Sequence, residues 1–513
     1  MTSEELREDE APPRPGRSIV WKALLAGVLV CLATAGAVSA TVLLQVDEVL
    51  DVLREQGRAA IEIPEIDRAD AGEAQTLMIL GSDIRYADRE AGIPPRSDTI
   101  LLVRLDPDKS VIAVTSVPRD LLVEIPGLGM SKINAAYELG GERSTVRTVK
   151  KLLSTPERPF QINHVVTVDF RGFRRVIDYI GCVYVDIDRD YFNDVGGPGG
   201  YATIVIDPGY QKLCGKDSLD YVRYRHGDND LVRAARQQDF LRQIRNQHGI
   251  RRLSSPAPSN LRKLARIFAR YFDSDKGLRQ KKQIFGLAKT VLFTSANPVR
   301  EVRFRVSDAG DGINLVASPE QLKETVDEFL NARGSASPRT ASVPTDAERA
   351  SRRQRARRMH PSSIKGLEEA LAEGENQAIV AARKVDFPFY FPTVRTSGSG
   401  YVGQAPRLYT VRDELGRKHD AYRMVIAKNI VGEYYGIQGM TWRDPPILDD
   451  PAEVVVRNGR KLRIYRDGRR IRLVAWRTRK AVYWVSNTLT QSLTGPQMLG
   501  IAASLRRLGK GKN

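Results

Sequence analysis

The sequence predicts an α/β fold in tandem with a smaller one: an α-β-α sandwich behind an N-terminal transmembrane helix, then a small α+β antiparallel domain. Three observations predict it. At 513 residues the chain exceeds one ordinary domain. Apolar runs of strand length alternate with amphipathic helical stretches from Gln75 to about Arg333. Beyond Val385, period-two stretches follow one another with Asn458-Gly459 and Asp467-Gly468 as hairpin turns.

Residues 1–22 read as a cytoplasmic tail carrying Arg14, Arg17 and Lys22. Ala23 to Leu44 is uncharged and 22 residues long, about the span of a bilayer core. Asp47, Glu48 and Asp51 follow it, so the positive-inside rule sends the rest of the chain outside. Val38-Ser39-Ala40 resembles a signal-peptide cleavage site, but the apolar run continues past it through Leu44, which favours an uncleaved anchor. The expected location is therefore the cell membrane, single-pass, with the bulk of the chain extracytoplasmic. The net charge of +18 asks for an anionic partner. The extracytoplasmic placement argues against nucleic acid as that partner.

After a spacer over residues 45–74, TLMIL, TILLVRL and VIAVTSV read as strands, the last two joined by the turn Asp106-Pro107-Asp108-Lys109. STVRTVKKLL has helical spacing with Ser144 as N-cap. HVVTV is a strand, FRGFRRVIDYI an amphipathic helix ending at Gly181, and CVYVDI and TIVI are strands. LDYVRYR and AARQQDFLRQIRNQ read as helices, and residues 260–293 as two basic ones. REVRFRV is a strand, and SPEQLKETVDEFL opens with a capping box at Ser318 and Gln321. Cys182 and Cys214 flank strand-like sequence in an oxidising compartment and are expected to pair; two buried free thiols are the alternative.

Residues 334–384 read as a basic linker, with five arginines between 352 and 358. Residues 385–513 read as the antiparallel domain, closed by the helix PQMLGIAASLRRL. Nothing in it spells a catalytic or metal site, and Tyr483 and Trp484 read as core. A binding or scaffolding role is expected of it.

Chemistry concentrates in two arginine–aspartate clusters. The first is Gly81-Ser82-Asp83-Ile84-Arg85, Arg96-Ser97-Asp98-Thr99 and Ser116-Val117-Pro118-Arg119-Asp120. The second is Tyr221-Val222-Arg223-Tyr224-Arg225, then Asp228, Asp230, Arg233, Arg236, Gln237 and Gln238. Guanidinium groups grip phosphate oxygens bidentately, and paired carboxylates suit a hard cation such as Mg²⁺. Asp83 sits just past the end of strand TLMIL and Asp98 just before strand TILLVRL, so both are expected at one sheet edge; Arg233 and Gln237, four apart, share a helix face. Ion pairing at the surface is the competing reading for each residue singly, but not for a set that sits wholly at element ends. The five histidines form no zinc-type pair, and neither G-x-S-x-G nor a Walker loop occurs.

Residues 75 to about 247 resemble the LytR-CpsA-Psr family of cell-envelope phosphotransferases. The resemblance rests on LMILGSDIR, RSDTILLVRLD, VTSVPRDLLVEIPG, KINAAYELGG, HVVTVDFRGF ahead of IGCVYVDI, and LCGKDSLDYVRYRHGDNDLVRAARQQDFL. It implies Mg²⁺-dependent transfer of a polyprenyl-diphosphate-linked glycopolymer onto peptidoglycan, outside the membrane. By motif, Asp83 and Asp98 resemble the metal ligands. Arg96, Arg119, Arg223, Arg225 and Arg233 resemble the diphosphate-binding arginines, with Gln237 and Lys132 beside them. Asp98 or Asp230 would take the acceptor's proton, and Arg119 would be essential. A lipid chain would thread between sheet and helices, with FRGFRRVIDYI as one wall. The alternatives are a membrane-anchored binder or sensor of lipid diphosphates, and a lipid diphosphatase. The resemblance does not extend to residues 385–513.

Overall fold

The computed structural model describes residues 51–52, 60–70, 72–82, 97–195, 202–224, 230–245, 247, 266–280, 282–284, 286–287, 290, 299–311, 314–333, 361–428, 430, 432–457, 459–467 and 470–508. The tail, the expected span at 23–44, the basic run at 352–358, the turn residues Asn458 and Gly468 and most of the two basic helices lie outside them. Among the described residues no helix is long and apolar enough to cross a membrane.

The apolar runs of the first domain form strands β1 (Gln75–Ser82), β2 (Ser97–Asp106) and β3 (Val111–Val117). A short hairpin follows, β4 (Leu122–Ile125) with β5 (Gly129–Lys132). Next come helix α1 (Ala135–Leu153), β6 (His164–Asp169), helix α2 (Phe170–Tyr179) and β7 (Val183–Ile187). Strand β8 (Gly209–Leu213), helices α3 (Gly215–Arg223) and α4 (Asp230–Arg245), β9 (Phe272–Ser274), β10 (Val299–Glu301) and helix α5 (Pro319–Leu330) follow.

The main sheet has the order β9-β6-β1-β2-β3-β10. The β1–β2–β3 meander is antiparallel, while β6 runs parallel to β1 and β10 parallel to β3. One face (Met78, Leu80, Ile100, Leu102, Ala113) packs with Val146 and Val149 of α1 and Phe329 of α5 into the first core. On the other face Leu77, Ile79, Val103 and Ile112 remain half-buried, and α4 covers only part of it.

Three local expectations are corrected. The helix expected from Ser144 begins at Ala135 and kinks at Gly140 and Gly141, the latter at φ +59°. The glycine pair reads as a break, yet helix forms on both sides of it. Cys182 and Cys214 do pair, with sulfurs 2.00 Å apart. The strand that brings them together is β8, antiparallel to β7 with Val183 opposite Leu213, rather than TIVI, which pairs with Tyr191–Asn193. The linker expected to run to 384 ends earlier. Leu367–Glu369 is a strand, and helix α6 (Leu371–Ala382) buries Ala378 and Ala381 in the C-terminal core. Small alanines facing inward carry this helix, and composition alone hides that.

The C-terminal domain is built on an eight-stranded antiparallel sheet. One face packs Tyr422, Ile437, Tyr483 and Val485 against α6 and the closing helix α7 (Gly495–Ser504), which opens on a capping box at Thr494 and Gln497. The opposite face buries the β7–β8 hairpin of the first domain. Tyr184 and Tyr210 stand in one cluster with Trp442, Tyr465 and Trp484. Ring centroids lie 5.0 Å apart for Tyr184–Trp442 and 5.7 Å for Tyr210–Trp484. Gly209, at φ +116°, must be glycine: a Cβ there would meet the Tyr409 ring at 2.6–2.9 Å. Asp186 of β7 pairs with Arg423 at 3.1 Å and accepts from Trp484 Nε1 at 3.2 Å. The two domains therefore share a core.

Candidate functional site

The candidate site forms where β1 ends, β2 begins and β3 ends. Across β1 and β2, Gly81 faces Thr99 and Ser82 faces Ser97, so Asp98 is the extra residue of a β-bulge. Bulges are enriched beside active sites, where they re-aim a side chain. Asp83 follows directly on Ser82 but lies outside the described residues, as do Arg96 and Arg225. The side chains of Asp98 and Asp230 lie outside them too, although their backbones belong to β2 and α4.

Helix α4 closes the site from the second face of the sheet. Gln237 Nε2 donates to Thr99 Oγ1 at 3.1 Å and to the Val222 carbonyl at 3.2 Å. One amide thus ties α4 to the start of β2 and to the end of α3. Arg233, one turn before Gln237, is buried. Arg223, at the last turn of α3, stacks its guanidinium over Phe170, 4.5 Å from the ring centroid. Arg236 does not join them. It is wholly buried, donating to the carbonyls of Tyr224 and Tyr221 at 2.8 and 3.2 Å and from Nε to Tyr191 Oη at 3.2 Å. Its role is to hold α3 against α4.

At the end of β3, Arg119 Nε lies 3.4 Å from Asp120, and Lys132 Nζ lies 2.9 Å from the same carboxylate. Asp120 brackets the two cations and fixes both on the β3–β5 side. It was visible in the Pro118-Arg119-Asp120 run but carries no role by sequence. A second group escapes sequence reasoning entirely. Tyr137 Oη and Thr167 Oγ1 both donate to Glu142, at 3.0 Å each. Burial, then the Glu142 carboxylate, push the Tyr137 phenol well above its usual range, so it stays a donor. Glu142 follows the glycine kink of α1, and Thr167 lies opposite Leu80 on the strand beside β1.

The expected lipid wall on α2 is not open. Ile177 and Ile180 are buried in a cluster with Val183 and Phe240, and Phe173 packs against Phe240 at 6.0 Å between centroids. Leu77, Ile79, Val103 and Ile112 on the second face of the sheet remain half-buried.

Residues 45–329 match the model described as the LytR_cpsA_psr family. Regulatory protein MsrR of Staphylococcus aureus is 28% identical over 265 residues, 49% of this chain and 74% of its own length. The polyisoprenyl-teichoic acid–peptidoglycan teichoic acid transferase TagT of Bacillus subtilis is 29% identical over 227 residues, 44% of this chain and 69% of TagT. The Bacillus subtilis transferase TagV is 36% identical over 177 residues, 34% of this chain and 42% of TagV. Among solved structures, "TagT bound to LIIa-WTA" aligns at a TM-score of 0.41 and 23% identity, over 53% of this chain and 98% of that one.

Proposed function

The chain belongs to the LytR_cpsA_psr family, and from that premise we propose that it transfers a polyprenyl-diphosphate-linked glycopolymer to peptidoglycan outside the membrane. The Gln237 contacts carry this reading, because they draw the second arginine cluster to the strand end that holds the first. Two relatives named as teichoic acid–peptidoglycan transferases support it.

An acceptor hydroxyl attacks the phosphorus that bears the sugar chain. A new P–O bond forms, the P–O bond to the prenyl phosphate breaks, and polyprenyl phosphate leaves. Negative charge grows on the bridging and non-bridging oxygens, and fixed guanidinium groups stabilise it best in a water-poor site. Arg119, Arg223 and Arg233 are assigned to that role, with Arg96 and Arg225. Lys132 and Gln237 orient the diphosphate and the arginines. The hydroxyl proton goes to Asp98 or Asp230. Asp83 and Asp98 would hold Mg²⁺, which would neutralise diphosphate charge when bound. The prenyl chain lies along Leu77, Ile79 and Val103 on the second face of the sheet, half-buried as they are without it. An N-terminal single-pass anchor at 23–44 would keep this site close to the lipid.

The test is transfer of a labelled glycopolymer from purified lipid-linked donor to peptidoglycan by the full chain in detergent or vesicles. Arg119→Ala should abolish attachment, by at least about 100-fold, with an unchanged melting temperature. Attachment retained by that variant sinks its role. Release of free polymer with none attached would instead identify a diphosphatase.

A further inference from the structure

A cleft of about 720 Å³ lies between the two domains, beside the end of β3. Ser116 and Pro118 of the first cluster line it, with Leu231 and Gln238 of α4, Arg303 beyond β10, and Arg470 from the C-terminal sheet. The chain itself joins this cleft to the transfer site: Pro118 precedes Arg119, and Leu231 follows Asp230.

Two independent observations say that the cleft is built to hold something. Gln238 and Ser116 are only 6% and 5% exposed and line the cleft, and neither is among the polar side chains buried without a partner. An amide and a hydroxyl on one cleft wall offer donors and acceptors to a polar ligand. The charges repeat the pattern. In the same wall Arg300 pairs with Glu328, and Arg305 with Glu324 and Glu328. Arg303 has no carboxylate partner among the described residues, and Arg470 donates only to the backbone carbonyls of Thr490 and Gln491, at 3.1 and 3.4 Å. Two guanidinium groups therefore remain for a carboxylate-bearing ligand.

We propose that this interdomain cleft binds the acceptor of the transfer, a segment of amino-sugar strand bearing peptide carboxylates. Gln238 and Ser116 meet sugar hydroxyl and acetamido groups, and Arg303 and Arg470 meet the carboxylates. The size suits a ligand of a few sugar rings. The C-terminal domain then completes the acceptor site rather than standing apart from it. This rests on the transferase reading above.

The experiment titrates the full chain with a soluble disaccharide-tetrapeptide fragment of peptidoglycan, and separately measures transfer at varied donor and acceptor concentrations. Paired Arg303→Ala and Arg470→Ala substitutions should weaken fragment binding and raise the acceptor KM by about tenfold or more, the loss of one or two charge-assisted contacts. The donor KM should hold, and Arg303→Lys should recover part of the binding. Equal fragment binding by wild type and the double variant overturns the proposal, as does no binding by wild type. A rise in donor KM alone also overturns it, by giving the cleft to the donor polymer. Fragment binding that needs both arginines, in a chain that transfers nothing, would sink the transferase reading and leave the acceptor cleft standing.

Discussion

Arg236 and Arg423 are 0% and 1% exposed, and each finds its partners inside the protein: three tyrosine oxygens for the first, Asp186 for the second. Arg303 and Arg470 line an open cleft with no carboxylate partner among the described residues, and Arg119 shares Asp120 with Lys132. The side chains are chemically identical. What separates a structural arginine from a ligand-binding one is whether the fold has already satisfied it. Arg236 makes the satisfied case plain: it is locked among backbone carbonyls and aromatic rings.

The comparison breaks hardest at the buried end. Arg423→Ala should cost about 3–5 kcal/mol in urea unfolding, because it strands the Asp186 carboxylate between the domains. A loss below about 1 kcal/mol would show that the pair contributes nothing to joining them. At the site end, Gln237→Leu should raise the donor KM about tenfold while changing stability by about 1 kcal/mol, the worth of the contacts to Thr99 and Val222. Steady-state kinetics beside thermal unfolding checks both halves. The smallest effect belongs to Asp413, at the surface turn before strand Lys418–Ala427. Burial would raise its carboxyl, but hydrogen bonds with His419 and Arg417 bring it down to about 2, from an ordinary 3.8. A depressed acid stabilises above its unfolded value and loses that contribution as pH falls through the folded one. The stability gap between wild type and Asp413→Asn should therefore be full above pH 3.8 and close as pH falls towards about 2, as followed by acid titration of unfolding.

Elements with a local signature were legible in the chain. Strands β1 to β3 announce themselves by apolar runs, and the helix at Pro319–Leu330 by its Ser318–Gln321 capping box. Strand Gly209–Leu213 was not legible, since GYQKL has no apolar run and exists because β7 and the Tyr409 hydroxyl receive it. The same holds for residues 361–384, whose alanine-lined helix has a place only once the C-terminal sheet is formed. The site divides likewise. Motif spacing put Arg233 and Gln237 on one face, but the Gln237–Thr99 bond spans 138 residues and the Asp186–Arg423 pair 237. Contacts that distant leave no periodic trace. Charged residues read as surface until the partner that buries them is in view.

The shared aromatic cluster around Tyr184 and Tyr210 has a consequence for modularity. A domain that meets its neighbour through a polar seam can be exchanged between chains with its linker alone. Here the seam is core: Tyr184 and Tyr210 of the first domain stand among side chains of the C-terminal sheet. The C-terminal domain is not a portable cassette: a chimera that keeps it must also inherit Tyr184, Asp186 and Tyr210 from the first domain, and one that discards it must repaint that hairpin with polar side chains. Descent should therefore have moved the hairpin and the sheet as one unit.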